Sequence, residues 1–228
     1  MTTMMITHVD DRIKAKRVKK LLSEQIDGGI CMSRYHMEEL ISYGVDSEKL
    51  SFVLPALDNT LVRRIHFTIQ CNCYRDGRKN ESFLETLAKD ADLSFAKFSF
   101  YGTGWEIMAA KLESAGAEVS INLPTDDFSK DYIEMRNALA SADYYVNLGW
   151  DEGSLGSLDA FVNRTGMILS AQGYHLNIPD DRVQFFNDYK EFFNVIVAIK
   201  SKYALRQLAA SKMSWTQYAI NHISIWES

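Results

Sequence analysis

Short apolar runs alternate with stretches of helical period along almost the whole chain. "MMITH" (4–8), "GGICMS" (28–33) and "LSFVLP" (50–55) have the length and composition of strands, the last ended by Pro55. Between them, "DDRIKAKRVKKLLSEQ" (10–25) sets Ile13, Val18, Leu21 and Leu22 on one helical stripe, with Asp10 or Asp11 suited to cap its start. "RYHMEELISYG" (34–44) reads as a second helix, closed by Gly44. After "ALDNTLVRR" (56–64) the rhythm resumes. Strands are expected at 65–73, 95–102, 117–123, 143–149, 167–172 and 181–186. Helices are expected at 79–90, 105–116, 131–142 and 154–166, and again after the last strand. This alternation means parallel strands with helices on both faces. Ligands of such sheets bind beyond the carboxyl ends of the strands. The seam at 56–64 separates an N-terminal part, 1–58, from a larger domain, 59–228.

Composition narrows the partners. Apolar residues make up 46% of the chain, enough for a real core, and the net charge is −5. That balance argues against nucleic acid. No apolar run approaches the roughly 18–20 residues that span a bilayer, and the N-terminus lacks a signal-peptide pattern, so a cytoplasmic protein is expected. Cys31, Cys71 and Cys73 form no C-x-x-C, and Cys71 and Cys73 fall in a strand-like run with their side chains on one face. They are expected to be neutral thiols, and the five histidines show no metal spacing, so no metal is expected. One segment departs from the acidic average. The helix at 11–24 carries Arg12, Lys14, Lys16, Arg17, Lys19 and Lys20. It is either a solvated face or a patch drawn to the anionic inner surface of a membrane.

The strand-end loops hold the chemistry. "YRDGRKNE" (74–81) gathers Arg75, Arg78 and Lys79 around Gly77 just before a helix, a combination that suits an anion, most often a phosphate. "YGTGWE" (101–106) has two glycines, Gly102 and Gly104, where a backbone can approach a ligand closely. "WDEGSLGSLDAF" (150–161) sets Asp151 and Glu152 before a turn of small residues and Asp159 inside the helix that follows. A carboxylate accepts two hydrogen bonds and so suits the vicinal diol of a ribose or a sugar ring; the same acids also suit a helix N-terminus. "QGYHLNIP" (172–179) adds another glycine loop on the same edge. Cations in the first loop and acids in the third fit a ligand with phosphates and a sugar.

Four segments in order carry a resemblance: "GGICMSRYHMEELISYGVDSEKLSFVLPALD", "CYRDGRKNESFLETLAK", "FSFYGTGWE" and "LASADYYVNLGWDEGSLGSLDAFVNRTGMILSAQG". From residue 28 to 175 the chain resembles the retaining GT-B glycosyltransferases of the large "group 1" family. The resemblance implies a Rossmann-like parallel sheet with helices on both faces, GT-B in type, with only the end of the usual N-terminal domain present. It further implies that Arg75 or Arg78, together with Lys79, binds the donor diphosphate, with the backbone around Gly153 and Ser154 meeting the phosphates. Asp159 takes the ribose-binding place, as an Asp for the usual Glu. The first acid, beside the reacting carbon, is Glu152 or Asp151. Asp151 keeps the family's separation from Asp159, whereas Glu152 keeps the Glu-Gly pair and is favoured because that turn is the geometric feature. Gly102 and Gly104 match the base-side loop, with Ile121 and Leu123 edging the base, and His8 could stand near the cleft.

The expected activity is therefore transfer of a sugar from a nucleotide diphosphate sugar to a glycan or lipid-linked acceptor, as in polysaccharide biosynthesis, with no cofactor and no metal. Two alternatives stay open. One is a non-catalytic nucleotide-sugar-binding subunit that completes a partner enzyme, the expected protein partners being such a subunit or a second copy in a homo-oligomer. The other is a nucleotide-sugar epimerase on the same architecture, since fold alone does not decide function.

Overall fold

The computed structural model describes residues 1–7, 12–57, 62–150 and 153–227. His8, Asp10, Asp11, Asp151 and Glu152, all named above, lie outside the described residues. The chain forms two compact units, Met1–Val62 with Leu205–Ser228, and Arg63–Ala204.

In the first unit, β1 (Thr3–Ile6), β2 (Gly28–Cys31) and β3 (Leu50–Phe52) pair in parallel in the order β1-β2-β3. Helices α1 (Arg12–Glu24) and α2 (Arg34–Ser42) connect them. Helix α1 buries Ala15, Val18 and Leu22, which join Ile6, Cys31 and Leu40 in one core. Ile13, expected on the apolar stripe, is 65% exposed instead. The buried face runs through Ala15, whose small side chain lets the helix lie against the sheet. Burial pushes the Cys31 thiol up to about 11, so it stays neutral. Ser33 caps α2 by accepting the His36 N–H at 3.2 Å.

Helix α8 (Trp215–Glu227) also belongs to this unit. Trp226 Nε1 donates to Thr3 Oγ1 at 3.0 Å, and Leu57 N–H donates to the Met213 carbonyl at 2.6 Å. The sequence reading groups these last helices with the larger domain. Contacts of this kind, between residues far apart along the chain, leave no local pattern that would reveal them.

The second unit is a six-stranded parallel sheet in the order β6-β5-β4-β7-β8-β9. Its strands are β4 (Ile65–Gln70), β5 (Ala96–Tyr101), β6 (Glu118–Asn122), β7 (Tyr144–Asn147), β8 (Gly166–Ser170) and β9 (Val183–Phe186). The connecting helices are α3 (Glu81–Asp90), α4 (Glu106–Ser114), α5 (Phe128–Ser141) and α6 (Leu155–Val162), and α7 (Tyr189–Lys212) follows β9. This is the strand order of the Rossmann-like doubly wound sheet. Helix α5 begins earlier than its periodicity predicts, because the Asp127 side chain accepts the Lys130 N–H at 3.0 Å and starts the helix there.

Aromatic side chains fill the core on the β4–β5 side. Phe67 stacks on Phe98 at 5.0 Å, and Phe100 on Trp105 at 4.5 Å. Each fully buried ring contributes about 1.5–3 kcal/mol relative to exposure. Strand β4 stops at Gln70. Cys71 and Cys73 therefore lie in the loop beyond it and not in the strand, with their backbone spent on neighbours. Trp105 Nε1 donates to the Cys71 carbonyl at 2.7 Å, and Cys73 N–H donates to the Thr103 carbonyl at 2.9 Å.

Candidate functional site

Strands β4 and β7 are neighbours in the sheet, yet the chain leaves them in opposite directions. β5 and β6 extend the sheet beyond β4, and β8 and β9 extend it beyond β7. The loops that follow β4 and β7 therefore diverge and open a crevice, the usual ligand position in such sheets. Two hydrogen bonds tie its walls together. Trp150 N–H donates to the Arg78 carbonyl at 3.2 Å, and Asn80 Nδ2 donates to the Leu148 carbonyl at 2.7 Å. Lys79 lies over Gly149: a Cβ there would sit 2.9 Å from Lys79 Cδ and 3.4 Å from its Nζ. The missing side chain at 149 is what gives the lysine its room.

The loop after β8 grips the far side of the same turn. Ser170 Oγ and Gln172 Nε2 both donate to the Gly149 carbonyl, the first at 2.6 Å. His175 is fully buried. Its Nε2 accepts the Ser154 N–H at 2.9 Å, and its Nδ1 faces the Ser170 carbonyl at 3.0 Å. A backbone N–H only donates and a carbonyl only accepts, so the imidazole is neutral with its proton on Nδ1. Gly153 has φ +118, and a Cβ there would strike the Tyr174 ring at 2.6 Å. Gly149 and Ser154 are thus each held by the loop after β8.

Ser154 occupies the N-cap position of α6 but makes no side-chain cap bond. Its hydroxyl is paired with the Tyr145 hydroxyl instead. Tyr145 is completely buried, and burial pushes its phenol up, so it is a neutral hydrogen-bonding group. The N-terminus of α6 thereby has no carboxylate or hydroxyl capping it among the described residues. A helix start of this kind carries partial positive charge and free N–H donors.

The two arginines of the cationic loop diverge. Arg78 lies over the Tyr74 ring at 4.8 Å, on the loop segment whose carbonyl meets Trp150. Arg75 has φ +57 and turns its guanidinium to the Gly104 carbonyl at 3.4 Å and to Glu106 at 4.0 Å. It lines a different cavity, with Gly104, Glu81 and Lys111 between the starts of α3 and α4. Gly104 and Arg75 are thus together in a cavity whose lining does not include Lys79. Gly102 and Gly104 are required by chain packing: a Cβ at Gly102 would stand 2.5 Å from the Cys71 carbonyl, and one at Gly104 would collide with the Cys73 carbonyl.

Gly102 and Leu123 line a second cavity of about 220 Å³ with Asn72, Tyr101, Phe128 and Glu134. Ile121 lies in β6 beside it, half-buried. Asp159 sits on α6 and accepts from the Tyr132 hydroxyl of α5 at 3.1 Å. Tyr132 in turn stacks on Phe128 at 6.2 Å. Asp159 is thus joined through Tyr132 to the cavity at Phe128.

The sequence reading passed over His175, Tyr145, Tyr174 and Tyr132. The "QGYH" loop drew notice only for its glycine, and a lone buried histidine has no spacing to betray it. Among the described residues, no group of three or more His, Cys, Asp or Glu could hold a metal ion, and no helix is long and apolar enough to cross a membrane.

No protein-family model matches the sequence, and a search of the curated proteins gave no match. Among solved structures, the chain is similar to the Anabaena protein HepE in complex with UDP and glucose, at 11% identity and a TM-score of 0.43, over 95% of this chain and 67% of that one. It is similar to a sucrose-phosphate synthase from Thermosynechococcus elongatus at 16% identity and a TM-score of 0.45, covering 95% of this chain and 61% of that one. It is also similar to the catalytic domain of cholesterol-α-glucosyltransferase from Helicobacter pylori, at 14% identity and a TM-score of 0.44, over 70% of this chain and 98% of that one. The chain thus spans 61% to 67% of the length of the first two.

Proposed function

We propose that this chain is a GT-B-type glycosyltransferase that takes a nucleotide diphosphate sugar and passes the sugar to a glycan or lipid-linked acceptor. What supports the reading is Lys79 lying over Gly149 just after β7, five residues ahead of the uncapped start of α6. A diphosphate there would meet a lysine charge and free backbone N–H groups at once. As the bond to the sugar breaks, negative charge grows on the leaving diphosphate. Lys79, Arg78 and the N–H groups of the first turn of α6, beyond the Ser154 N–H that His175 holds, would stabilise it. Asp159 suits the ribose hydroxyls, and the cavity at Gly102 and Leu123 suits the base. Glu152 or Asp151 would stand beside the reacting carbon.

The test is turnover. The purified chain is incubated with a panel of nucleotide diphosphate hexoses, with and without oligosaccharide or lipid-linked acceptors, and the released nucleotide diphosphate is measured. Acceptor-dependent release that Lys79→Ala suppresses is the expected result. Binding of the nucleotide with no release under any condition would leave a binding subunit in place of an enzyme.

A further inference from the structure

We propose that the cavity at the ends of β5 and β6 selects guanine, so that the nucleotide held in this site is a guanosine diphosphate. The inference rests on the nucleotide reading above and adds the identity of the base. At about 220 Å³ the cavity is smaller than the roughly 300–1,000 Å³ of pockets that enclose whole drug-sized ligands, and suits a single heterocycle. Gly102 contributes no side chain, and Phe128, 77% exposed, offers a flat ring already backed by Tyr132 at 8° between planes. Bases of any kind stack on such a face, so the choice among them falls to the polar edge.

That edge is rich in acceptors. No lysine or arginine lines the cavity, but Asp131 and Glu134 do. Asp131 already accepts from Thr125 N–H and Oγ1, both at 2.7 Å. The Asn122 amide donates to the Phe100 carbonyl at 3.2 Å, and the Asn72 oxygen accepts the Thr103 N–H at 2.9 Å. Glu134 is the carboxylate left for a ligand, since Lys130 reaches it only at 3.9 Å. Tyr101 and Glu134 both line this edge, and burial, with the Glu134 charge, raises the Tyr101 phenol.

The bases differ in what they offer a carboxylate. Guanine presents N1–H and an exocyclic N–H side by side, matching the two oxygens of Glu134. Its O6 next to them can accept the Tyr101 hydroxyl. Uracil presents a single N–H between two carbonyl oxygens, so a carboxylate beside it meets lone pairs. Adenine and cytosine each set one exocyclic donor against a ring acceptor and fall between.

The experiment measures dissociation constants of GDP, ADP, CDP, UDP and inorganic pyrophosphate for the whole chain and for Glu134→Gln by calorimetry. GDP is expected to bind about ten-fold tighter than UDP, or better. Glu134→Gln is expected to lose most of that ratio while leaving pyrophosphate affinity unchanged. UDP binding as tight as GDP, or a ratio untouched in Glu134→Gln, overturns the guanine assignment and leaves the nucleotide reading standing. Failure of all four nucleotides and of pyrophosphate to bind overturns both.

Discussion

The imidazole of His175 accepts the backbone N–H of Ser154 at 2.9 Å, joining the loop after β8 to the first residue of the α6 start. Because the ring is also bonded to the Ser170 carbonyl, its removal strands two backbone groups, that of Ser170 buried and that of Ser154 half-buried. Each such loss costs about 1–3 kcal/mol. His175→Ala should therefore destabilise the chain by about 2–4 kcal/mol, read as a lower denaturation midpoint in urea. A variant as stable as the parent would show that the contact contributes nothing.

Lys79 and Arg75 should separate. Lys79→Ala is expected to weaken nucleotide diphosphate binding by about 1.5–3 kcal/mol, the value of a charge-assisted hydrogen bond, without unfolding the chain. Arg75→Ala should change binding by less than about 0.5 kcal/mol, because its guanidinium is turned to Gly104 and Glu106. Calorimetric titration of the two variants decides it. Equal losses would place Arg75 at the phosphates and redraw the cationic loop.

Two glycines with similar backbone angles should respond differently to alanine. Gly104 has φ +85 and Gly77 has φ +80. Both substitutions meet left-handed strain of about 1 kcal/mol. Only at Gly104 does the new Cβ also run into a backbone carbonyl, that of Cys73, whereas nothing lies within 4 Å at Gly77. Gly104→Ala should lower the melting temperature clearly more than Gly77→Ala. The reverse order would mean that the loops after β4 and β5 are not packed as described.

Asp159→Asn should weaken nucleotide diphosphate binding yet leave inorganic pyrophosphate binding as it is, since the expected partner of this carboxylate is the ribose. Tyr132→Phe removes the hydroxyl that holds Asp159 at 3.1 Å and should produce a smaller loss of the same kind. Titrating both ligands against both variants is the measurement. A parallel loss of pyrophosphate affinity would assign Asp159 to the phosphate region.

Helix α1 offers a test of the membrane reading. Arg12, Lys14, Lys16, Arg17, Lys19 and Lys20 are all exposed, and Ile13 stands exposed among them. Near an anionic surface each basic residue contributes about 1 kcal/mol, weakened by salt. Co-sedimentation with anionic vesicles at low salt, lost at high salt and absent with neutral vesicles, is the expected pattern. Equal, negligible pelleting in every condition would leave only a solvated face.

The elements themselves are local and were legible in the residue pattern. Strand β5 alternates polar and apolar positions between Ala96 and Tyr101, α2 carries its own Ser33 cap, and the cationic loop announces itself by composition. Each depends on residues within a few positions of one another, so periodicity and capping suffice. Sequence also marked Lys79 and Ser154 in the loops after β4 and β7 and Asp159 in the helix that follows. The strand order β6-β5-β4-β7-β8-β9 was not legible, because it depends on which apolar faces pack together across the chain. The same applies to the helices after Leu205, which join the first unit through contacts such as Trp226 with Thr3. Only the tertiary structure turned Arg75 to Gly104 and Glu106, gave Gly102 and Gly104 a packing role, and set buried His175 against Ser154. Those outcomes are fixed by hydrogen bonds and close approaches between distant segments, and neither leaves a period or a spacing in the chain.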